Sequence, residues 1–101
     1  MMTATIIYWR DIPTQVVVGG GRRGAKRMLA DRFMVAVDKA ARAAGLTDED
    51  EYLAEWHKVQ LDVAEKDQSE ALEEIASHIE AEFPAKRLAE IARNGGRLES
   101  K

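Results

Sequence analysis

Nine residues of this chain combine glycine with positive charge, a pairing that proteins use to hold phosphate groups. The stretch 19–27 reads Gly-Gly-Gly-Arg-Arg-Gly-Ala-Lys-Arg and follows a predicted strand over 14–18. Phosphate loops use glycine so that backbone N–H groups can approach an anion in front of a helix N-terminus. Here Lys26 precedes Arg27 instead of Ser or Thr, and the strand belongs to a predicted hairpin. The spacing therefore disfavours a nucleotide loop.

This basic stretch has two other interpretations. It could contact an acidic partner or a small anionic ligand, or it could be an exposed connector. In either case we expect its cations to be exposed, because four positive charges cannot be buried without matching anions. We also expect residues 19–24 to be mobile, since glycine widens backbone freedom. The candidate contact residues are Arg22, Arg23, Lys26 and Arg27.

The remaining residues with catalytic or metal-binding chemistry give weaker signals. Glu74, His78 and Glu82 recur every four residues, a spacing that can hold a metal on a helix, but a solvated Glu-rich face has the same pattern. The chain has no cysteine and no spacing typical of a Ser/His/Asp triad. We predict no catalytic residue, no metal site and no cofactor, and the sequence leaves open whether the protein is an enzyme.

Charge is distributed unevenly along the 101 residues. The net charge is −3, but residues 1–46 carry +5, residues 47–83 carry −11 and residues 84–101 carry +3. Such asymmetry either steers a partner or marks the solvated faces of Glu-rich helices. The chain has a pI near 5.4, so we do not expect nucleic acid as a partner.

Two further features predict where the protein works. No apolar run reaches the roughly 20 residues of a membrane span, and the N-terminus lacks the pattern of a signal peptide. The absence of cysteine suits a reducing compartment. We therefore expect a cytoplasmic protein with no membrane contact.

Hydrophobic periodicity predicts strands at the start of the chain and helices after residue 30. Segments 3–9 and 14–18 read as a hairpin, and 25–29 as a short third strand or the lead into a helix. Helices are predicted over 31–44, from an N-cap at Thr47, from an N-cap at Asp67 and after Pro84. Segment 58–63 alternates apolar and polar residues, which favours a strand over a continued helix.

These elements predict a small α+β domain over residues 1–96, with a frayed tail at 97–101. We expect an antiparallel sheet of two to three strands covered by three to four helices. The predicted core residues are Phe33, Val37, Leu53, Trp56, Ile75, Ile79, Phe83 and Leu88.

The segment Ile7-Tyr8-Trp9-Arg10-Asp11-Ile12-Pro13-Thr14-Gln15-Val16 resembles the opening of short bacterial proteins of the virulence factor domain family, which is related to the C-terminal region of conserved virulence factor C. Residues 31–33, 36–41 and 52–56 are similar to the same family, so the resemblance covers about 3–93. The glycines at 19–21 depart from its pattern. The family name records a phenotype and supplies no catalytic residues.

The resemblance implies an accessory role, with an association to folate- and corrinoid-dependent methyl transfer. Our leading hypothesis is a non-catalytic accessory or protein-interaction domain whose partner is another protein. One face of the first strand, with Tyr8, Trp9 and Arg10, is a candidate partner surface. The alternative is a small enzyme, or a protein that binds a phosphate-type ligand through the basic stretch.

Overall fold

The computed structural model describes residues 2–19, 24–46, 48–64 and 67–98. The strands are β1 (Met2–Trp9), β2 (Ile12–Val18), β3 (Ala25–Met28) and β4 (Trp56–Val63). The helices are α1 (Asp31–Ala43), α2 (Glu49–Ala54), α3 (Gln68–Glu82) and α4 (Ala85–Arg93). The α+β class is confirmed, with one strand more than the two to three that the sequence predicts.

The four strands form one antiparallel sheet in the order β3-β2-β1-β4. The hairpin of β1 and β2 lies at its centre, which explains the two Ile of β1 and the one Ile and three Val of β2. The alternation over 58–63 does form a strand, and that strand already begins at Trp56. It returns along β1 after two helices, a long-range pairing that no local signal specifies.

A β-bulge interrupts the central hairpin. The register of β1 and β2 shifts between Ile7, which lies opposite Gln15, and Tyr8, which lies opposite Pro13. Thr14 is the additional residue, and its Oγ1 donates to the Ile7 carbonyl at 2.9 Å. The bulge redirects β2, so Ile12, Pro13 and Thr14 are all buried.

Sequence signals mark the end of α1, both ends of α3 and the start of α4. Gly45 takes a φ of +75° after α1, and Pro84 separates α3 from α4. The Asp67 carboxylate accepts from the Glu70 N–H at 3.2 Å, which confirms the predicted cap of α3. The capping of α2 differs, because its N-cap is Asp48 and makes no side-chain hydrogen bond. Thr47 lies outside the described residues.

A single hydrophobic core joins the sheet to α1, α3 and α4. Phe33, Val37, Ile79 and Leu88 are buried as predicted, and Trp56, Ile75 and Phe83 are partly buried against them. The prediction for Leu53 is wrong, because it lies 51% exposed. Helix α2 has only six residues and buries none of them, so its apolar side is only partly covered. The largest fully buried side chain is Trp9.

Candidate interaction surfaces

Arg10 connects the β1–β2 turn to two distant parts of the chain. Its backbone lies in the left-handed region, with a φ of +52°. Its N–H donates to the Glu55 carbonyl at 3.1 Å, and its Nη1 donates to the Gly95 carbonyl at 3.0 Å. Its Nε lies 3.2 Å from Glu55 Oε1, and the side chain is 14% exposed. These contacts hold a conformation that usually favours glycine.

Asp11 and Trp9 complete this corner of the molecule. The Asp11 N–H donates to the Gly96 carbonyl at 2.9 Å, and its carboxylate accepts from the Leu98 N–H at 2.8 Å. Trp9 is fully buried, and its Nε1 donates to the Tyr52 carbonyl at 2.9 Å. The Tyr-Trp-Arg-Asp sequence therefore joins β1 to α2, to the start of β4 and to the segment after α4.

Tyr8 and His57 form the accessible part of the corner. Their rings are stacked, with centroids 5.4 Å apart. His57 Nε2 lies 2.7 Å from the Arg10 carbonyl, so this nitrogen carries the proton, because a carbonyl can only accept. Burial, followed by the negative charges of Asp11 and Glu82, raises the pKa of Tyr8 above its usual value. Tyr8 is therefore a neutral hydrogen-bonding group over the physiological range.

The buried Trp9 cannot offer its ring to a partner. Of the three predicted contact residues, only Tyr8 and the small exposed part of Arg10 are accessible to a partner, and the exposed His57 lies beside them. A partner-binding role for these residues stays a prediction. Their observed contacts explain them as structural residues.

The basic stretch is only partly within the described residues, since Arg22 and Arg23 lie outside them. Lys26 is exposed on β3. Arg27 forms an ion pair with Glu73, and its Nη2 lies 3.8 Å from Glu80 Oε2. The hydrogen bond to Glu73 is the main cause that raises the pKa of Arg27. Arg27 thus fastens β3 to α3, while the mobility predicted for 19–24 falls largely on residues that are not described.

The histidine-containing helix face gives no evidence of a metal site. His78 Nε2 lies 3.6 Å from Glu82 Oε2, and both side chains are largely exposed. Within the described ranges, no group of three His, Asp or Glu side chains could hold a metal ion. The pair is an ordinary surface contact on α3.

A shallow apolar groove runs between α1 and α4, which pack against each other. Alanine side chains form most of its floor, and Val35 at its edge is 49% exposed. Lys39 and Arg93 lie along it and have no ion-pair partner among the described residues. Arg32 at its end donates to the carbonyls of Glu80 and Phe83. The floor residues are Ala36, Ala43, Ala85, Leu88, Ala89 and Ala92.

Helix packing converts the uneven charge of the sequence into separate charged surfaces. The basic segments 1–46 and 84–101 supply α1 and α4, which lie side by side with six cations against three carboxylates. Helix α3 carries five Glu and no Lys or Arg, and α2 has three acids in its first turn. The groove between α1 and α4 is therefore basic, whereas α2 and α3 are acidic.

The second exposed apolar region is the edge strand β4. Six of its eight residues are exposed, including Val59 at 38% and Leu61 at 42%. A hollow of about 230 Å³ lies beside its end, between Val63 and Ile75. The sequence pattern predicted a half-buried strand, but it could not show that the strand would lie at the edge of the sheet.

The chain also matches the sequence model of a known protein family. The sequence model of the virulence factor family, described as "Virulence factor", matches residues 7–92 and so covers most of the chain, including the corner around Arg10. The chain belongs to the virulence factor family. No curated protein and no solved structure gives a significant match. In the described part of this virulence factor domain, no helix is long and apolar enough to cross a bilayer.

Sequence reasoning missed the groove because its parts are distant in the sequence. Lys39 and Arg93 are separated by more than fifty residues, and alanine gives no functional signal. The one available clue was the positive charge of both segments in an acidic virulence factor domain. It could not show that α1 and α4 would pack together.

Proposed function

We propose that this virulence factor domain is a non-catalytic protein-interaction domain, and that its α1–α4 groove binds an acidic segment of another protein. The observation that carries the proposal is the combination of exposed apolar surface and unpaired positive charge in one groove. Val35 offers apolar area, and Lys39 and Arg93 offer charges that have no ion-pair partner among the described residues. Opposite charge on a partner would orient it and accelerate its association.

The shape of the groove favours a protein over a small molecule. The two adjoining hollows that form it have volumes of about 120 and 280 Å³. Pockets for drug-sized ligands enclose most of the ligand, whereas these two hollows are open to solvent. An open, alanine-floored groove matches a helix or an extended segment better, because small residues allow another backbone to approach closely.

The family resemblance adds a context for this interaction. It implies an accessory role beside enzymes of folate- and corrinoid-dependent methyl transfer, and we propose that the acidic partner is a component of such a system. The cysteine-free sequence is compatible with a cytoplasmic setting.

Affinity purification from the native host, compared across charge variants, tests the proposal. Lys39→Glu reverses a charge in the groove, and Lys26→Glu makes the same change on β3. We expect Lys39→Glu to reduce recovery of the partner, while Lys26→Glu leaves it unchanged. Recovery should also fall between 50 and 500 mM salt, since salt screens surface charges beyond about 8–10 Å.

Two results would contradict the proposal. Equal recovery with both variants would remove the groove as the binding site. A small anionic molecule that stays bound to the purified protein in native mass spectrometry, with no reproducible protein partner, would support the alternative of ligand binding.

A further inference from the structure

Strand β4 is an open edge on which backbone hydrogen-bonding groups remain available. It pairs with β1 along one side over all eight residues, and no strand lies on its other side in the described chain. The opposite edge, β3, has only four residues and carries Lys26 and Arg27. Proteins commonly protect edges by shortening or charging them. Strand β4 is long, and its Lys58 and Asp62 have opposite charges, so they do not repel a second copy of the strand.

We propose that two copies of this protein pair through β4, antiparallel and centred on Gln60, to form a continuous eight-stranded sheet. This surface is separate from the α1–α4 groove, so the inference does not depend on the proposed function. The charges along β4 identify a second copy of the chain as the partner. Their order on one strand is complementary to their order on the same strand running in the opposite direction.

The centre of symmetry follows from the positions of the charges. In an antiparallel pair, residues directly opposite each other share a face of the sheet. With Gln60 opposite Gln60, Lys58 of each copy lies opposite Asp62 of the other. Both side chains are exposed, and neither has an ion-pair partner among the described residues. The pairing therefore creates two cross-strand ion pairs without breaking an existing one.

Other symmetric registers lose this complementarity. Centring the pair on Lys58 or on Asp62 places two like charges directly opposite, which destabilises a sheet. Centring it on Val59 or on Leu61 leaves Lys58 or Asp62 opposite the uncharged Gln60. The centre at Gln60 alone satisfies both charges.

The same register also matches the apolar residues. Val59 of each copy lies opposite Leu61 of the other, on the face that carries Ile6 and Ala4, their neighbours on β1. These two core residues are buried, whereas Val59 and Leu61 extend beyond the helical cover. Pairing would place four aliphatic side chains next to one another and remove them from water, which favours association.

Sedimentation measurements on charge variants test the register. We expect a dimer for the natural sequence, and we expect Lys58→Asp or Asp62→Lys to weaken dimerisation about tenfold, because each creates two like-charge contacts. The double variant Lys58→Asp/Asp62→Lys should recover the dimer, since it exchanges the two charges. Circular dichroism should show the same folded protein for all four, because both side chains are exposed.

Cross-linking tests the centre independently. The natural chain has no cysteine, so Gln60→Cys introduces a single thiol. We expect mild oxidation to give a covalent dimer rapidly, since Cβ atoms of directly opposite residues are ~4.5–5.5 Å apart. Ser77→Cys, exposed on α3, is the matched control for random collision.

The possible results separate cleanly. A natural protein that stays monomeric at about 100 μM, well above the Kd of ordinary specific dimers, would overturn the proposal. A dimer in which the double variant fails to recover, or in which Gln60→Cys cross-links no faster than Ser77→Cys, would overturn this pairing and place the dimer contact elsewhere.

Discussion

At the level of single residues, the corner around Arg10 shows how a family motif can be explained by structure. Arg10 joins a backbone of positive φ to contacts with Glu55 and Gly95. Trp9 lies next to Arg10, and the absence of a side chain at Gly96 leaves room for the Trp9 ring. Each of these side chains has a contact that a substitution would remove. The contacts therefore account for the motif through the stability of the fold.

Gly96 gives a prediction about backbone and space together. Its φ is +90°, and a Cβ at this position would lie 2.8 Å from Trp9 Cζ3. We expect Gly96→Ala to lower the free energy of unfolding by about 2–4 kcal/mol, from backbone strain and from displacement of the ring. Gly45, at φ +75° in open space, is the control and should lose only about 1–2 kcal/mol. Equal losses in urea unfolding would contradict the contact with Trp9.

Tyr8 predicts how stability depends on alkaline pH. Its pKa is raised in the folded state, first by burial and then by Asp11 and Glu82. The folded protein therefore holds its proton more tightly, and the resulting stability is present below about pH 10 and is lost as pH rises through the folded pKa. Tyr52 is shifted in the same direction by burial and Asp38.

Tyr8→Phe should reduce this alkaline loss. Denaturant midpoints between pH 8 and pH 11 measure the effect, and Tyr8→Phe/Tyr52→Phe should show the flattest profile. A slope unchanged by both substitutions would assign the alkaline loss to other groups.

At the level of elements, α2 and α3 both have Asp as the N-cap residue but differ in whether its side chain makes a hydrogen bond. Asp67 bonds to the N–H of Glu70 at the start of α3, whereas Asp48 makes no side-chain bond at the start of α2. We expect Asp67→Ala to destabilise the protein by about 1 kcal/mol and Asp48→Ala by less than about 0.5 kcal/mol. Thermal unfolding of the two variants provides the comparison. A larger loss for Asp48→Ala would show that α2 depends on its cap more than the structure indicates.

At the level of the whole molecule, Trp9 is the side chain that most connects the elements. It belongs to β1 and donates to the carbonyl of Tyr52 in α2, and together with Ala40 of α1 it borders Gly96 after α4. We expect Trp9→Phe to cost about 2–3 kcal/mol, from lost packing and from loss of the hydrogen bond to the Tyr52 carbonyl. That is a large share of the ~5–15 kcal/mol that stabilises a typical domain.

Trp56 is the matched control for Trp9. It is only partly buried at the start of β4, so Trp56→Phe should cost about 1 kcal/mol. Urea unfolding followed by circular dichroism measures both variants. A smaller loss for Trp9→Phe than for Trp56→Phe would contradict the central position of Trp9.

Short-range sequence signals were enough to predict much of the local structure of this protein. Alternation over 58–63, the cap at Asp67 and the breaks at Gly45 and Pro84 are short-range signals, and each depends on backbone sterics or hydrogen bonds within a few residues. The hairpin at the start of the chain belongs to the same class, since its strands are adjacent in sequence. The resemblance around Tyr8–Pro13 likewise indicated the family from the sequence alone.

Which faces remain exposed depends on how the elements pack together. Leu53 has an apolar side chain at a helical spacing, yet it is exposed because α2 is too short to be covered. Lys39 and Arg93 line one groove because α1 packs on α4, and β4 is an edge because, among the described strands, it pairs with β1 alone. These outcomes depend on contacts between distant residues, and local sequence patterns carry no information about which distant segments will meet.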